Sequence, residues 1–308
     1  MDARLAAMIG YAILNVILVL LVAPLFEGVV RKLTAKIQSR QGPPLRQPYY
    51  DLLKLLGKED LESGEVPGMQ RAAASAALVV ILSVATLVPM GGPAPLHEAA
   101  DVILLIYLIT LCGISTLLGA LAAGSTYSLL GMSREMMTMM ILEPLLAVAI
   151  VIGAVHTHSL RLPTVLNGSA YAEGAVPLAG LLMALVLLLA LQAFVGRVPF
   201  DISEAETEIM EGPFIEYSGA KLALFKYVRM AKLVVYSALF VALFVPWGNT
   251  WFYPANLVLF LGKVFVLVLI VTVVGATHAR YRIDQALRYY AGLFAAAMVA
   301  LVLAVFGY

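Results

Sequence analysis

The chain is poor in charged residues and almost free of cysteine. Charged residues make up 13% of its 308 residues, against roughly 25% in soluble domains, and the net charge is +1. Without a strong excess of positive charge, no binding of nucleic acid is predicted. The single cysteine, Cys112, excludes a disulfide framework and a cysteine-based metal site.

Histidine is also scarce, and all four histidines fall near the ends of predicted helices. They are His97, His156, His158 and His278. A haem in a membrane protein needs histidines that face each other inside its helices. We therefore predict no catalytic residue, no metal site and no cofactor in this chain.

Long apolar runs are abundant instead, since 62% of the residues are hydrophobic. Eight runs lie near residues 5–30, 72–90, 101–123, 137–156, 177–196, 228–247, 257–277 and 287–307. Each has about the 20 residues that a helix needs to cross a bilayer. The first run is too long for the core of a cleavable signal. The sequence thus predicts an all-α, polytopic membrane protein of about eight transmembrane helices, with one domain over residues 1–308.

The basic residues indicate how the helices are oriented. Seventeen of the 20 lie in the segments that follow the first, third, fifth and seventh helices. Because basic residues concentrate on the cytoplasmic side, these segments are predicted to be cytoplasmic and both termini non-cytoplasmic. The two long cytoplasmic loops are 31–71 and 197–227. In the first, the segment from Tyr49 to Leu56 is predicted to form a short amphipathic helix at the membrane surface.

The second loop carries six carboxylates within sixteen residues and no base among them. They are Asp201, Glu204, Glu206, Glu208, Glu211 and Glu216. Between Pro199 and Gly212 the sequence predicts a helix on which four of them, at 201, 204, 208 and 211, share one face. One interpretation is a solvated acidic helix. The other is a set of carboxylates so crowded that their proton affinities rise and couple, and the turn at Pro199-Phe200 back toward the membrane favours it.

Three charged residues lie inside the predicted spans: Glu27, Glu143 and Lys263. An ionisable group in hydrocarbon is costly, so each is a candidate for an ion path that faces the helix bundle. For Glu27 the alternative is contact with water near the membrane surface. For Glu143 and Lys263 the alternative is a buried structural ion pair.

Four motifs resemble the signature of respiratory complex I subunit 1 and of its relative in group 4 membrane-bound nickel–iron hydrogenases. They are Ser39-Arg40-Gln41-Gly42-Pro43, Tyr127 to Glu135 followed by Glu143-Pro144, Arg197-Val-Pro-Phe-Asp201 through Glu216-Tyr217-Ser-Gly219, and Arg280-Tyr-Arg282-Ile-Asp284. The resemblance spans the whole chain. The short passage from Gly42 to Glu59 and the Glu211-Gly212-Pro213 ending favour the hydrogenase branch of formate hydrogenlyase and energy-converting hydrogenase type.

This resemblance implies a membrane-arm subunit in the cell membrane that couples ferredoxin-driven hydrogen evolution, or a related redox reaction, to translocation of protons or sodium ions. Hydrogenase-like large and small subunits would dock on the cytoplasmic side, with iron–sulfur clusters and a nickel–iron site in those partners. Antiporter-like subunits would be membrane neighbours. The residues implied in docking are Arg40, Gly42, Pro43, Arg134, Arg197, Tyr217, Arg280, Arg282 and Asp284. Those implied in the ion path are the loop acids, Glu27, Glu143 and Lys263.

Three alternatives stay open at this point. The chain resembles the quinone-binding subunit of complex I, and also the homologous subunit of a sulfane reductase complex. A passive membrane anchor is the third. One departure from the family bears on the choice: many relatives carry a glutamate at the end of the fifth helix where this chain has Phe194. A lateral proton route that uses that glutamate would be altered or absent here.

Overall fold

The structure, a computed structural model, describes residues 2–61, 66–92, 100–166, 178–245, 247 and 253–307. His97 lies outside these residues. Within them the long helices are α1 (Asp2–Ile37), α3 (Pro67–Leu87), α4 (Val102–Ala123), α5 (Thr126–Thr157), α7 (Leu178–Phe194), α9 (Gly219–Phe244), α10 (Tyr253–Thr277) and α11 (Ile283–Val305). Short helices are α2 (Gln47–Leu56), α6 (Leu162–Leu166) and α8 (Glu206–Ile209).

The predicted all-α membrane architecture is confirmed. Seven of the described helices are long and apolar enough to cross a bilayer, and α7 is a shorter apolar helix of 17 residues. Each of the eight predicted runs coincides with one of these helices. The boundary of the sixth was wrong, because α9 begins at Gly219 rather than near residue 228. Lys221 and Lys226, which the prediction placed in the loop, therefore lie on this helix.

Helix α9 is the centre of the bundle. Nineteen of its 26 residues are buried, and it packs against α1, α2, α3, α7 and α10. Helices α3 and α4 approach each other closely through small side chains such as Ala73, Ala77 and Gly119. Such residues let helix backbones pack tightly where lipid gives no hydrophobic drive to association. Helix α11 closes the other side of the bundle against α5 and α7.

The predicted short helix of the first loop is present as α2. It packs against α1 and α9 through Pro48 and Leu52, while Tyr50, Leu53 and Leu56 are exposed. The loop before it crosses α1 at Gly28, where a Cβ atom would lie 2.1 Å from the carbonyl oxygen of Leu45. Only glycine permits this close approach of two backbones.

Candidate functional site

The acidic loop does not form the predicted helix. Its helical parts are only the four residues of α8 and a 3-10 turn at Gly212–Phe214. Met210 and Glu211 have φ angles of 51° and 66°, which a right-handed helix excludes. The apolar residues of the loop, including Phe200, Ile202 and Ile209, are buried and hold it against the bundle. The prediction of one acidic helix face was therefore wrong.

The loop carboxylates instead separate to different basic partners. Asp201 is buried, with Oδ2 at 3.1 Å from Arg280 and Oδ1 at 3.7 Å from Arg229. Glu204 contacts Arg229 directly, so one guanidinium is shared by two carboxylates. Those two bases come from α9 and from the segment before α11, which only the folded chain brings together.

The remaining loop carboxylates lie nearer the surface. Glu208 pairs with Arg134 at 2.6 Å, and Glu211 lies 3.9 Å from Lys226. Glu206 is exposed and Glu216 is half-buried. The carboxylates that reach the interior are thus Asp201 and Glu204.

Glu27 lies at the centre of a second ion network. Its side chain is buried, contacts Arg197 of the loop and lies 3.1 Å from Arg31. Arg31 in turn pairs with Asp51 of α2 at 2.8 Å. Partial burial opposes ionisation of Asp51, but hydrogen bonds from Arg31 and Gln47 hold its pKa below the usual value. The network ties α1, α2 and the acidic loop together, and water contact alone does not describe Glu27.

Two small residues let the loop dock on α5. A Cβ atom at Gly131 would lie 2.5 Å from Cδ of Pro213, so the Gly212-Pro213 turn can sit on the helix only because Gly131 has no side chain. The hydroxyl of Ser128 donates to the carbonyl of Ala120 at 2.8 Å and lies 3.3 Å from the carbonyl oxygen of Pro213. This packing places the Tyr127–Glu135 motif directly against the acidic loop.

A cavity of about 80 Å³ lies where the docked loop meets α4, α5, α7, α9 and α11. Its charged lining consists of Glu135, Glu143, Glu204, Arg229 and Lys232. The volume exceeds the roughly 10–15 Å³ that one water needs, so several waters fit. The cavity joins a loop carboxylate to Glu143, which lies inside the span formed by α5.

The two acids of α5 lie on one face of the helix. Glu135 and Glu143 are eight residues apart, which corresponds to about 12 Å along the axis. Glu143 is half-buried, accepts a hydrogen bond from Thr110 and is followed by Pro144. Glu143 therefore faces neighbouring helices rather than lipid alone, and its place in an ion path stays a prediction.

Glu204 has an unusual proton affinity for a loop glutamate. Burial raises its pKa from 4.5 to about 7, and the neighbouring carboxylates Asp201 and Glu135 act in the same direction. Arg229 and Lys232 oppose the rise without cancelling it. A carboxyl that titrates near neutral pH can take up and release protons under cellular conditions.

Phe194 forms part of the cavity wall. Its ring stacks on Tyr236 of α9 with centroids 5.3 Å apart, and both rings line the cavity. This part of the cavity wall is therefore aromatic. The remaining acids of the cavity come from α5 and the loop.

The residues implied in docking divide into two groups. Arg197, Tyr217 and Arg280 bind within the chain; the Tyr217 hydroxyl donates to the carbonyl of Gly119 at 2.6 Å, and burial raises its pKa to about 12. Those three residues hold the loops in place. For a partner there remain Arg40, which is exposed beside Gly42-Pro43, and a groove of about 220 Å³. The groove is lined by the exposed Glu208, Arg282 and Asp284 and by the partly buried, ion-paired Arg134 and Arg280.

Lys263 lies away from the cavity. Its Nζ donates to the carbonyl of Val245 at 2.8 Å and to that of Trp247, just beyond the end of α9. A cation at this position satisfies carbonyls that the helix leaves free and interacts favourably with the helix dipole. This geometry favours a capping role over the ion path or buried ion pair expected from the sequence.

Sequence reasoning missed Glu135 and Lys232 as members of the cavity. Glu135 was identified only as part of a motif, and Lys232 was only counted among the basic residues that follow the fifth helix. The spacing of Arg229, Lys232 and Tyr236 at i, i+3 and i+7 places them on one helix face, which was a usable signal.

In the part of the chain that is described, no group of three or more His, Cys, Asp or Glu residues is arranged to hold a metal ion.

Comparison with known proteins identifies the family. A family model described as NADH dehydrogenase matches residues 9–306. Formate hydrogenlyase subunit 4 of Escherichia coli (strain K12) is 30% identical over 284 residues, covering 89% of this chain and 91% of that protein. Hydrogenase-4 component C of the same organism is 34% identical, with coverage of 78% and 76%. An NADH-quinone oxidoreductase subunit of Anaplasma phagocytophilum (strain HZ) is 29% identical, with 84% of each chain covered.

A solved structure shows the same fold. It is that of the membrane-bound sulfane sulfur reductase, an archaeal respiratory membrane complex, with a TM-score of 0.86 and 27% identity. The similarity covers 97% of this chain and 99% of the other. The chain therefore belongs to the NADH dehydrogenase family and is a membrane subunit of a redox complex.

Proposed function

We propose that the chain couples a redox reaction in a docked peripheral arm to ion translocation across the cell membrane. The reaction is hydrogen evolution from reduced ferredoxin, and the ion is a proton or sodium. The observation that carries the proposal is the cavity that joins Glu204 of the acidic loop to Glu143 of the membrane span. A passive anchor has no need for buried acids at this junction.

The shared base Arg229 supports transmission of charge through the loop. Because Asp201 and Glu204 both contact its guanidinium, a change of charge on one carboxylate alters the attraction that the other receives. Arg280 links Asp201 to the surface groove, where we propose that the peripheral arm docks. A redox-linked charge change in the arm would thereby bias the protonation of Glu204.

The hydrogenase branch has support from sequence similarity. One Escherichia coli relative is named as a formate hydrogenlyase subunit, at 30% identity, and the other as a hydrogenase-4 component, at 34% identity. We propose hydrogenase-like large and small subunits on the cytoplasmic side, with iron–sulfur clusters and a nickel–iron site in those partners. Antiporter-like subunits would lie beside the chain in the membrane.

A sulfur-reducing complex is the second candidate, because the sulfane sulfur reductase structure covers nearly all of both chains. Quinone reduction is a further alternative, based on the 29% identical NADH-quinone oxidoreductase subunit. In each case the chain would be a membrane subunit beside a different peripheral reaction.

The test is to purify the chain with its native partners and measure hydrogen evolution from reduced ferredoxin together with nickel content. Hydrogen and nickel together would support the hydrogenase branch. Reduction of quinone or polysulfide without nickel would refute it and leave the membrane module in place.

The coupling role is tested with Glu143→Gln in vesicles, with Glu206→Gln as the exposed control. We expect Glu143→Gln to abolish ion translocation while the redox reaction continues, and Glu206→Gln to change neither. Unchanged translocation in Glu143→Gln vesicles would favour a passive anchor.

A further inference from the structure

Lys232 lies at the junction of two cavities on the inner face of α9. It lines the 80 Å³ cavity and an adjoining cavity of about 30 Å³, and Glu135 and Glu204 line both as well. Glu143 lines only the larger one. The lysine thus borders the space that leads from the loop carboxylate to the acid inside the membrane span.

The ammonium of Lys232 is not fixed by an ion pair. No described carboxylate lies within 4 Å of its Nζ, whereas Arg229, one turn earlier, contacts Glu204 directly. Lys232 nevertheless interacts electrostatically with Glu135, Glu143 and Glu204. A cation buried in a membrane protein is costly unless negative groups compensate its charge. Here several carboxylates lie around the ammonium, and none of them forms an ion pair with it.

The charges around the cavity do not balance. Its lining has three carboxylates, at 135, 143 and 204, and two cations, and the Arg229 guanidinium is also shared with Asp201. A proton on one carboxyl of the cavity would make the charges of its lining match. Which carboxyl holds this proton depends on which of them the ammonium of Lys232 approaches.

We infer that Lys232 is a positioning residue that couples the protonation of Glu204 to that of Glu143, because its flexible side chain can bring one ammonium toward either carboxylate. This inference rests on the proposed function of ion translocation. An ionised Glu204 attracts the ammonium. When Glu204 takes up a proton, that attraction is lost, the ammonium moves toward Glu143 and favours its ionised form. Glu143 then releases its proton to water in the cavity.

The residue type suits this role. Lysine carries a compact charge on a four-carbon stem with free rotation, whereas the planar guanidinium of arginine prefers fixed, paired geometry. Arg229 shows that paired geometry with Glu204 and Asp201 on the same helix face. The two cations therefore have different roles. Arg229 fixes the loop through its ion pairs, and Lys232 changes position when the charge of Glu204 changes.

The test measures carboxyl protonation in the purified complex by infrared spectroscopy as pH is varied. Bands are assigned with Glu143→Gln and Glu204→Gln. Glu204→Gln mimics the protonated loop acid, so we expect it to lower the titration midpoint of Glu143 by about one pH unit, the scale of strongly coupled sites. In the Lys232→Met background the same change should lower the midpoint by less than half as much, since only direct repulsion remains.

Controls separate this effect from loss of structure. Lys226→Met removes another cation of α9 that lies 3.9 Å from Glu211 and does not line the 80 Å³ cavity, so the full shift should persist. Lys232→Gln is the second neutral variant if Lys232→Met does not assemble, and Lys232→Arg should retain only part of the shift. Subunit content of each complex shows whether it has assembled.

Two results would overturn the inference. One is a Glu143 midpoint that does not respond to Glu204→Gln in the native background, which requires no lysine variant. The other is an equal shift with and without Lys232. A complex that evolves no hydrogen would refute the hydrogenase proposal, while the infrared titration would still decide the role of Lys232.

Discussion

Glu27 is buried between two arginines, and we expect Glu27→Gln to be strongly destabilising. The substitution leaves Arg197 and Arg31 facing a neutral amide, with their side chains 16% and 37% exposed. Breaking a buried ion pair by removing one partner costs about 3–5 kcal/mol, because the other charge stays buried without compensation. Glutamine still accepts one hydrogen bond, so the lower end, about 3 kcal/mol, is expected.

The single cysteine provides the assay. Cys112 is 1% exposed and packs against α3, with its sulfur 3.9 Å from the carbonyl oxygen of Ala77. A maleimide therefore reaches the thiol only when the helices separate, and mass spectrometry of the Cys112 peptide measures how often this happens. At about 1.4 kcal/mol per tenfold change, a loss of 3 kcal/mol makes labelling about 150-fold faster.

Asp51→Asn is the matched control in the same network. The pair of Asp51 with Arg31 is more than a third exposed on both sides, and such pairs contribute about 0–1 kcal/mol. Labelling should therefore accelerate by no more than about fivefold. Equal rates for Glu27→Gln and Asp51→Asn would refute the reasoning, because burial would then have no part in the cost.

Three further outcomes follow from single positions. The infrared band of the Glu204 carboxylic acid should be present below pH 7 and disappear above it, since the pKa of about 7 exceeds the ordinary value of 4.5. The bound proton stabilises the native state at low pH, and this contribution to stability is lost as the pH rises through 7. Gly28→Ala should lower stability by about 1–3 kcal/mol, measured by Cys112 labelling, because its Cβ meets the Leu45 carbonyl. Tyr217→Phe should cost about 0.5–1.5 kcal/mol in the same assay, because it removes the hydrogen bond from the hydroxyl to the Gly119 carbonyl.

Each of these has a control at a site with little contact. Glu206→Gln should leave the Glu204 band unchanged, because Glu206 is exposed. Gly10→Ala has open space around the added methyl group and should not destabilise α1. Tyr50→Phe alters an exposed side chain and should leave labelling unchanged. A Glu204 band that persists well above pH 7, or variants that match their controls, would contradict these expectations.

The helices were predictable from the sequence because a bilayer imposes a strong pattern of apolar length. The eight runs coincide with eight helices, and the amphipathic segment after Gly42-Pro43-Pro44 is α2. Helix ends were less predictable. The first three turns of α9 carry Lys221, Lys226 and Arg229, and charge alone made this stretch resemble a loop; packing within the bundle overrides that signal.

The acidic loop was the main failure of sequence reasoning. Acid spacing predicted a helix, but the backbone turns to positive φ at Met210 and Glu211 and the apolar residues of the loop pack inward. The partners of Asp201 and Glu204 come from residues at least 25 positions away in sequence. Periodicity describes neighbours on one element and contains no information on such contacts.

The position of α7 has a consequence for lipid dependence. Leu181, Leu185 and Leu189 are exposed on one side of this helix, where lipid would cover them, while Ala193 and Phe194 at its end line the cavity that also contains Glu204. Transmembrane helices tilt when the thickness of the surrounding hydrocarbon changes. A tilt of α7 would move the cavity wall beside Glu204. The thickness of the bilayer is thus expected to alter the hydration of this carboxyl and with it the pH at which it takes up a proton.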